Sequence, residues 1–161
     1  MGLLNNGSLA FVDRVKVPGQ DWSIGVPEGF EYSTDPKVNG KSSSNPSGVY
    51  DLILAKPKSK RDVDFDSPYS NAISFVTLEY SSFRAFEMDL NIKKDEYEAI
   101  LLTDDLSVIL IPMMSTGGVN SYFIYVNSEE KIRRCQLLIS GPYKKEEKME
   151  FARQLAKSIS I

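Results

Sequence analysis

Histidine is absent from the 161-residue chain, and cysteine occurs once, as Cys135. Without histidine the chain lacks the commonest general base, the usual partner of a catalytic serine or cysteine, and the favoured ligand of transition metals. A single cysteine forms neither an intramolecular disulfide nor a thiolate metal cluster, so a hydrophobic core must hold the fold together. These two absences exclude histidine-dependent triads, zinc sites and haem sites within one chain.

Long hydrophobic runs and a strong excess of one charge are also missing. No apolar run approaches the ~18 residues of a membrane-spanning helix, so no membrane span is expected. The chain has 19 lysines and arginines against 22 aspartates and glutamates, a net charge of −3. Because phosphate binding needs a basic surface, nucleic acid is not expected as a partner.

The N-terminal segment MGLLNNGSLAF has neither the basic part nor the apolar part of a signal peptide. Residues 1–8 are therefore expected to be disordered or a remnant of expression cloning, and the protein is expected in the cytoplasm. An exported protein whose leader has been removed is the alternative. The length and the 42% content of hydrophobic residues suit one soluble domain over residues 1–161.

Alternation of apolar and polar residues predicts strands along much of the chain. The predicted strands are 9–17, 22–26, 49–55, 72–80 and 106–111. Over 122–140, two apolar runs flank the polar turn 127–130 and predict a β-hairpin. Two polar stretches, 33–48 and 56–70, predict long surface loops.

The stretch DWSIGVPEGFEY allows two interpretations. Trp22, Ile24 and Val26 share one strand face, and Pro27 and Gly29 then interrupt the alternation. A proline cannot donate to a strand ladder and a glycine permits a tight turn, so a corner between two strands is expected. The mouth of a ligand site is the alternative.

Two segments predict helices. Residues 93–103 lack proline and glycine and contain good helix formers. Residues 144–159 carry an apolar stripe at helical spacing, with Glu146 and Glu147 placed to suit the helix dipole. The stripe consists of Phe151, Ala152, Leu155, Ala156 and Ile159. Because strands dominate and no strand–helix–strand alternation repeats, we expect an α+β fold, an antiparallel sheet with a C-terminal helix and one further helix packed on it.

The pattern at the two ends resembles the PsbP-like fold. The matching residues are Trp22, Ile24, Pro27, Gly29 and Phe30 near the N-terminus, and Phe151, Leu155, Ser158 and Ile159 near the C-terminus. This resemblance implies a noncatalytic binding or assembly module and carries over no functional residue.

Two features of the sequence are candidate chemical sites. Asp62, Asp64 and Asp66 alternate as at the start of a calcium loop, but Ser67 stands where that loop needs glycine and Ile73 where it needs glutamate. We therefore expect no metal site.

Cys135 shares its strand face with apolar residues and has no base to activate it, so a buried, unreactive thiol is expected. No catalytic residue and no cofactor are predicted.

An interaction surface is the remaining hypothesis. Tyr122 and Tyr125 lie on opposite faces of an apolar strand, and Met113 and Met114 adjoin the loop around Gly117. Tyrosine is enriched at interfaces and methionine adapts its shape, although burial under a helix would explain the same residues. The sequence thus favours a noncatalytic protein-interaction or assembly module whose partner is another protein. A small-ligand carrier with an aromatic-lined pocket, or a carboxylate-dependent enzyme, is the alternative.

Overall fold

A computed structural model of the protein describes residues 2–4, 6–42, 50–59, 63–80, 83–128 and 131–161. Nine strands, three α-helices and one 3₁₀ turn are formed within these ranges. In chain order they are β1 (Phe11–Lys16), β2 (Ser23–Pro27), β3 (Glu31–Ser33), α1 (Pro36–Ser42), β4 (Ile53–Lys56), the 3₁₀ turn (Pro68–Ser70), β5 (Ile73–Tyr80), α2 (Phe83–Ile92), β6 (Glu98–Thr103), β7 (Leu106–Thr116), β8 (Val119–Ser128), β9 (Lys131–Ile139) and α3 (Lys145–Lys157).

The strands form two antiparallel sheets. Seven strands pair in the order β3-β4-β5-β9-β8-β7-β6, and β1 and β2 pair separately as a ribbon. The predicted α+β class with a C-terminal helix is confirmed. None of the helices in the described ranges has the length and apolar character needed to cross a membrane.

One face of the large sheet, here called the core face, carries Leu54, Phe75, Ile124 and Leu137. Helix α3 and the β1–β2 ribbon cover it and complete one hydrophobic cluster. All five residues of the predicted helical stripe are buried there, with Phe151 only 1% exposed. Burying a large aromatic or aliphatic side chain stabilises a fold by roughly 1.5–3 kcal/mol, so this face supplies most of the folding energy.

The stretch around Pro27 is the expected corner. Trp22, Ile24 and Val26 are buried in the core cluster. Gly29 adopts a φ of 86°, a left-handed conformation that glycine takes without strain, and the chain then enters the edge strand β3.

A side chain at position 25 in β2 would have to displace the ring of Phe11, which is 38% exposed. A Cβ atom there would lie 2.5 Å from Cδ1 of Phe11, because the Phe11 ring of β1 lies across the backbone of β2.

Two expectations about local structure are wrong. Part of the predicted loop 33–48 forms helix α1, while residues 43–49 lie outside the described ranges. The described part of 56–70, which leaves out residues 60–62, is largely a surface loop with a short 3₁₀ turn, although Pro68 at the start of that turn is buried. Near the N-terminus Leu3 is buried, and its backbone N–H donates to Glu147 of α3 at 2.6 Å, so residues 2–4 are ordered against the helix.

The helix predicted over 93–103 is a larger error. Residues 98–103 form strand β6, and the helix α2 lies one segment earlier. A two-residue turn, Asp104–Asp105, joins β6 to β7 as an antiparallel hairpin. Strand pairing with β7 therefore overrides the moderate helix propensity of these residues.

Candidate functional site

The face opposite the core face, here called the outer face, carries Val76, Ile109, Tyr125 and Arg134. Two separate pieces of chain cover parts of it. At the β4–β5 end, Val63 and Phe65 pack on a small cluster of buried residues. At the β7–β8 end, helix α2 lies across the strands.

Among the described residues, helix α2 contacts the sheet through an aromatic pair and a polar network. The ring of Phe86 lies 4.9 Å from that of Tyr125, centroid to centroid. The Tyr125 hydroxyl donates a hydrogen bond to Asp89, and Arg134 Nη1 lies 4.0 Å from the Asp89 carboxylate. Arg134 also stacks over the Phe123 ring at 4.8 Å. These contacts hold the middle of α2 and leave its first residue, Phe83, 60% exposed.

Strand β6 is the last strand of the sheet on this side. It pairs with β7 only, and no described residue pairs with its other side, here called the β6 edge. Alternate residues Ala99, Leu101 and Thr103 are exposed. Leu101 is 76% exposed, more than any other large apolar side chain in the described ranges.

The core-side residues of β6 fix the strand to the rest of the fold. Ile100 and Leu102 pack against the core cluster. Arg153 of α3 binds Glu98 through two hydrogen bonds of 2.8 and 2.7 Å. This bidentate contact lowers the pKa of the Glu98 carboxyl from its ordinary value, against the smaller opposing effect of burial.

A cleft of about 530 Å³ opens between α2 and the end of the β6–β7 hairpin, and it is here called the α2 cleft. Phe83, Phe86 and Leu101 supply apolar lining, and Asp104, Asp105 and Lys131 supply charged lining. The sheet register places Leu101, Ser107, Asn127 and Ile132 in one row, so the floor consists of outer-face side chains of four neighbouring strands. The result is an open groove with mixed apolar and polar lining and two carboxylates at the turn of the β6–β7 hairpin.

The residues predicted to form an interaction surface are divided between two places. Met113, Met114 and Tyr122 line a smaller cleft of about 160 Å³ beside Met149 of α3. Tyr125 lies on the other face, fully buried beneath α2. Tyr122 is 3% exposed, so of the four only Met114, at 67%, offers a large exposed apolar surface.

The loop around Gly117 connects β7 to β8. Gly117 and Gly118 have φ values of 60° and 81° and form the tight turn of the β7–β8 hairpin. The ammonium of Lys148, a buried residue of α3, is 2.8 Å from Asn120 Oδ1 and 3.4 Å from the Gly118 carbonyl oxygen. Helix α3 therefore holds this turn in place.

Cys135 is fully buried on the core face, as its strand position predicts. Burial raises the pKa of its thiol to about 12, and the nearby positive charge of Arg133 opposes that change only in part. A thiol with such a pKa is almost entirely protonated at neutral pH and is a poor nucleophile.

The aspartate series is only partly within the described ranges, because Asp62 lies outside them. Asp64 accepts hydrogen bonds from the Asp66 N–H at 3.0 Å and from the Ser70 hydroxyl at 3.2 Å. Its carboxylate thus stabilises the local loop. Among the residues that the structure describes, no group of three or more cysteines, aspartates and glutamates is arranged to hold a metal ion. The absence of a metal site stays a prediction.

Sequence reasoning missed both elements that form the α2 cleft. Phe83, Phe86 and Leu90 fall at i, i+3 and i+7, a helical spacing that predicts α2. The apolar run at 100–102 was ambiguous between helix and strand. A second apolar run begins at Leu106 after only three intervening residues, Thr103, Asp104 and Asp105, and so short a polar connection favours a hairpin.

No protein-family model matches the chain, and no curated protein sequence matches it significantly. The PsbP-like resemblance therefore stays a prediction from the residues at the two ends of the chain.

Proposed function

We propose that the chain is a noncatalytic protein-interaction or assembly module, and that it binds another protein at the α2 cleft and the β6 edge. The observation that carries this proposal is the exposure of Leu101 on an edge strand. A single exposed apolar side chain is ordinary, but an unpaired apolar edge strand is a template for pairing with another chain, and natural proteins usually protect such edges.

The composition of β6 supports the proposal. Natural edge strands are protected by lysine, by proline, by inward-pointing charges or by being very short. The six-residue sequence EAILLT contains no lysine and no proline, and its one charged side chain, Glu98, is bound by Arg153. A bulge between Leu101 and Thr103 is the one protective device, and it affects only the end of the strand.

A small-ligand carrier is the second candidate. The volume of the α2 cleft lies within the range of roughly 300–1,000 Å³ that is usual for ligand sites, and Phe83 and Phe86 line it. Ligand sites usually enclose most of the ligand's surface, however, and this groove is open along one side. An open groove that continues into a strand edge fits a polypeptide better than a small molecule.

Affinity capture with matched surface variants tests the proposal. Wild-type protein, Leu101→Lys and Met114→Lys would each be used to capture partners from the source cell, followed by mass spectrometry. Both variants place a lysine on an exposed strand position, but only one lies at the α2 cleft. We expect a specific partner that Leu101→Lys loses and Met114→Lys retains. Loss with Met114→Lys alone would move the site to the cleft around Met113 and Met114, and no specific partner would contradict the function.

A further inference from the structure

We infer that the partner contributes an extended segment that adds to the sheet as an eighth strand at the β6 edge, and that this segment is apolar with basic residues at one end. This inference rests on the proposed function and specifies its chemistry. Strand addition is a common mode of peptide recognition, in which main-chain hydrogen bonds give affinity and alternate side chains give specificity.

The two ends of the sheet differ in their capacity to accept a strand. At the β3 end the edge strand has three residues, includes Glu31 and is followed by helix α1, which begins at Pro36. At the β6 end the strand has six residues, and four of them are aliphatic. Of the two end strands of this sheet, β6 offers the greater length and the more apolar side-chain surface for an added strand.

Side chains on both faces of β6 would gain contacts from an added strand. On the outer face Leu101 is exposed beside the α2 cleft, so an aliphatic side chain placed next to it would bury both. On the core side Ile100 and Leu102 are only partly buried at the margin of the core cluster. An incoming strand that is apolar at alternate positions would extend that cluster by one strand.

The charges around β6 indicate which charged residues the added segment should carry at its end. Residues 95–105 include five acidic and no basic residues. Glu96 and Glu98 are bound by Lys93 and Arg153. Neither Asp104 nor Asp105 forms an ion pair with a described residue. Lys131 also lines the α2 cleft, but it lies on β9, and strands β8 and β7 separate it from β6. The end of β6 at Asp104 and Asp105 is therefore acidic, and basic side chains on the partner would complement it.

The same charges disfavour a second copy of the chain as the occupant. An antiparallel pair of β6 strands centred on Ile100 would place Glu96 of one copy opposite Asp104 of the other. A pair centred on Leu101 would place Glu98 opposite Asp104. Like charges directly opposite each other are destabilising, and the two-fold symmetry would repeat each of these contacts.

A labelled peptide tests the inference directly. The probe is a fluorescein-labelled peptide of alternating valine and threonine that ends in a short run of lysines, and its binding is followed by fluorescence anisotropy. One control peptide carries glutamates in place of the lysines, and another carries methylated backbone nitrogens throughout its apolar run. We expect the glutamate peptide to bind at least about tenfold more weakly, because like charges face the acidic turn. The methylated peptide should not bind, since it cannot donate main-chain hydrogen bonds.

Variants of the protein complete the test. Leu101→Lys should weaken binding of the lysine probe by about tenfold or more. The double variant Asp104→Asn and Asp105→Asn, which keeps the turn chemistry, should weaken binding of the probe several-fold and reduce the salt dependence of that binding. Met114→Lys should leave binding unchanged.

Four results would overturn the inference. The first three are that the lysine probe does not bind, that the two charged peptides bind equally, and that the methylated peptide binds. The fourth is that analytical ultracentrifugation detects a dimer of the wild type that is absent in Leu101→Lys. The lysine probe could fail to bind while Leu101→Lys still loses the partner captured from cells. That result would support the proposed function and contradict strand addition. If Leu101→Lys retained that partner, the α2 cleft and the β6 edge would not be the binding surface of the proposed function. This conclusion would hold whether or not the peptides bound.

Discussion

The two faces of the seven-stranded sheet are covered in different ways. The core face is closed by a whole helix, α3, and by the β1–β2 ribbon, and its buried side chains form one cluster. The outer face is covered by a short loop cluster and by α2, whose contacts centre on Phe86 and Asp89. The core face holds the fold together, and the outer face near β6 keeps apolar surface exposed.

The largest expected difference between the two faces is in the reactivity of a thiol placed on each of them. In a Leu101→Cys variant, the new thiol should react with Ellman's reagent at the rate of an exposed cysteine. Cys135 should react only when the protein opens, at least about 10³-fold more slowly, because it is buried and its pKa is raised. Comparable rates for the two thiols would show that the core face is not closed.

The same substitution on each face compares their contributions to stability. Phe151→Ala should lower the free energy of unfolding by about 3–5 kcal/mol, the usual cost of deleting a buried ring. Urea denaturation followed by far-UV circular dichroism measures this change. A loss below about 1 kcal/mol would show that α3 does not close the core.

The matched change on the outer face is Phe86→Ala. Phe86 is half-buried and contacts Tyr125, so we expect a loss of about 1–2 kcal/mol from partial burial and one aromatic pair. The same denaturation experiment measures it. A loss equal to that of Phe151→Ala would mean that α2 is as integral to the core as α3.

Removing the ion pair between β6 and α3 should cause the smallest change in the free energy of unfolding. Glu98→Gln removes a partly exposed pair with Arg153, so we expect a loss of about 0.5 kcal/mol at neutral pH. Because folding lowers the pKa of Glu98, the pair stabilises the protein fully above the ordinary value of 4.5. That contribution is lost as the pH falls through the lowered pKa.

The difference between wild type and Glu98→Gln should therefore shrink as the pH falls below about 4.5, measured as the melting temperature across a pH series. Glu96→Gln, which removes a more exposed pair with Lys93, is the matched control and should change little. A difference that grows in acid would contradict the direction of the Glu98 pKa.

The core face was largely predictable from the sequence, and the outer face was not. The stripe through Phe151 and Leu155 and the alternation through Trp22 and Ile24 are periodic patterns within single elements, and each pattern marks the face that is buried. Leu101 belongs to a short apolar run whose conformation depends on its pairing with β7. Tyr125 is buried because α2 folds across it, which no periodicity within its own strand could indicate.

Amide hydrogen exchange on the complex with the lysine probe tests most directly whether the β6 edge accepts a strand. We predict that the amides within Glu98–Thr103 that face the β6 edge exchange more slowly when the probe is bound, because they acquire main-chain partners. Amides of Glu31–Ser33 at the opposite edge should keep their rates. Unchanged exchange in Glu98–Thr103, or equal slowing at both edges, would contradict strand addition at β6.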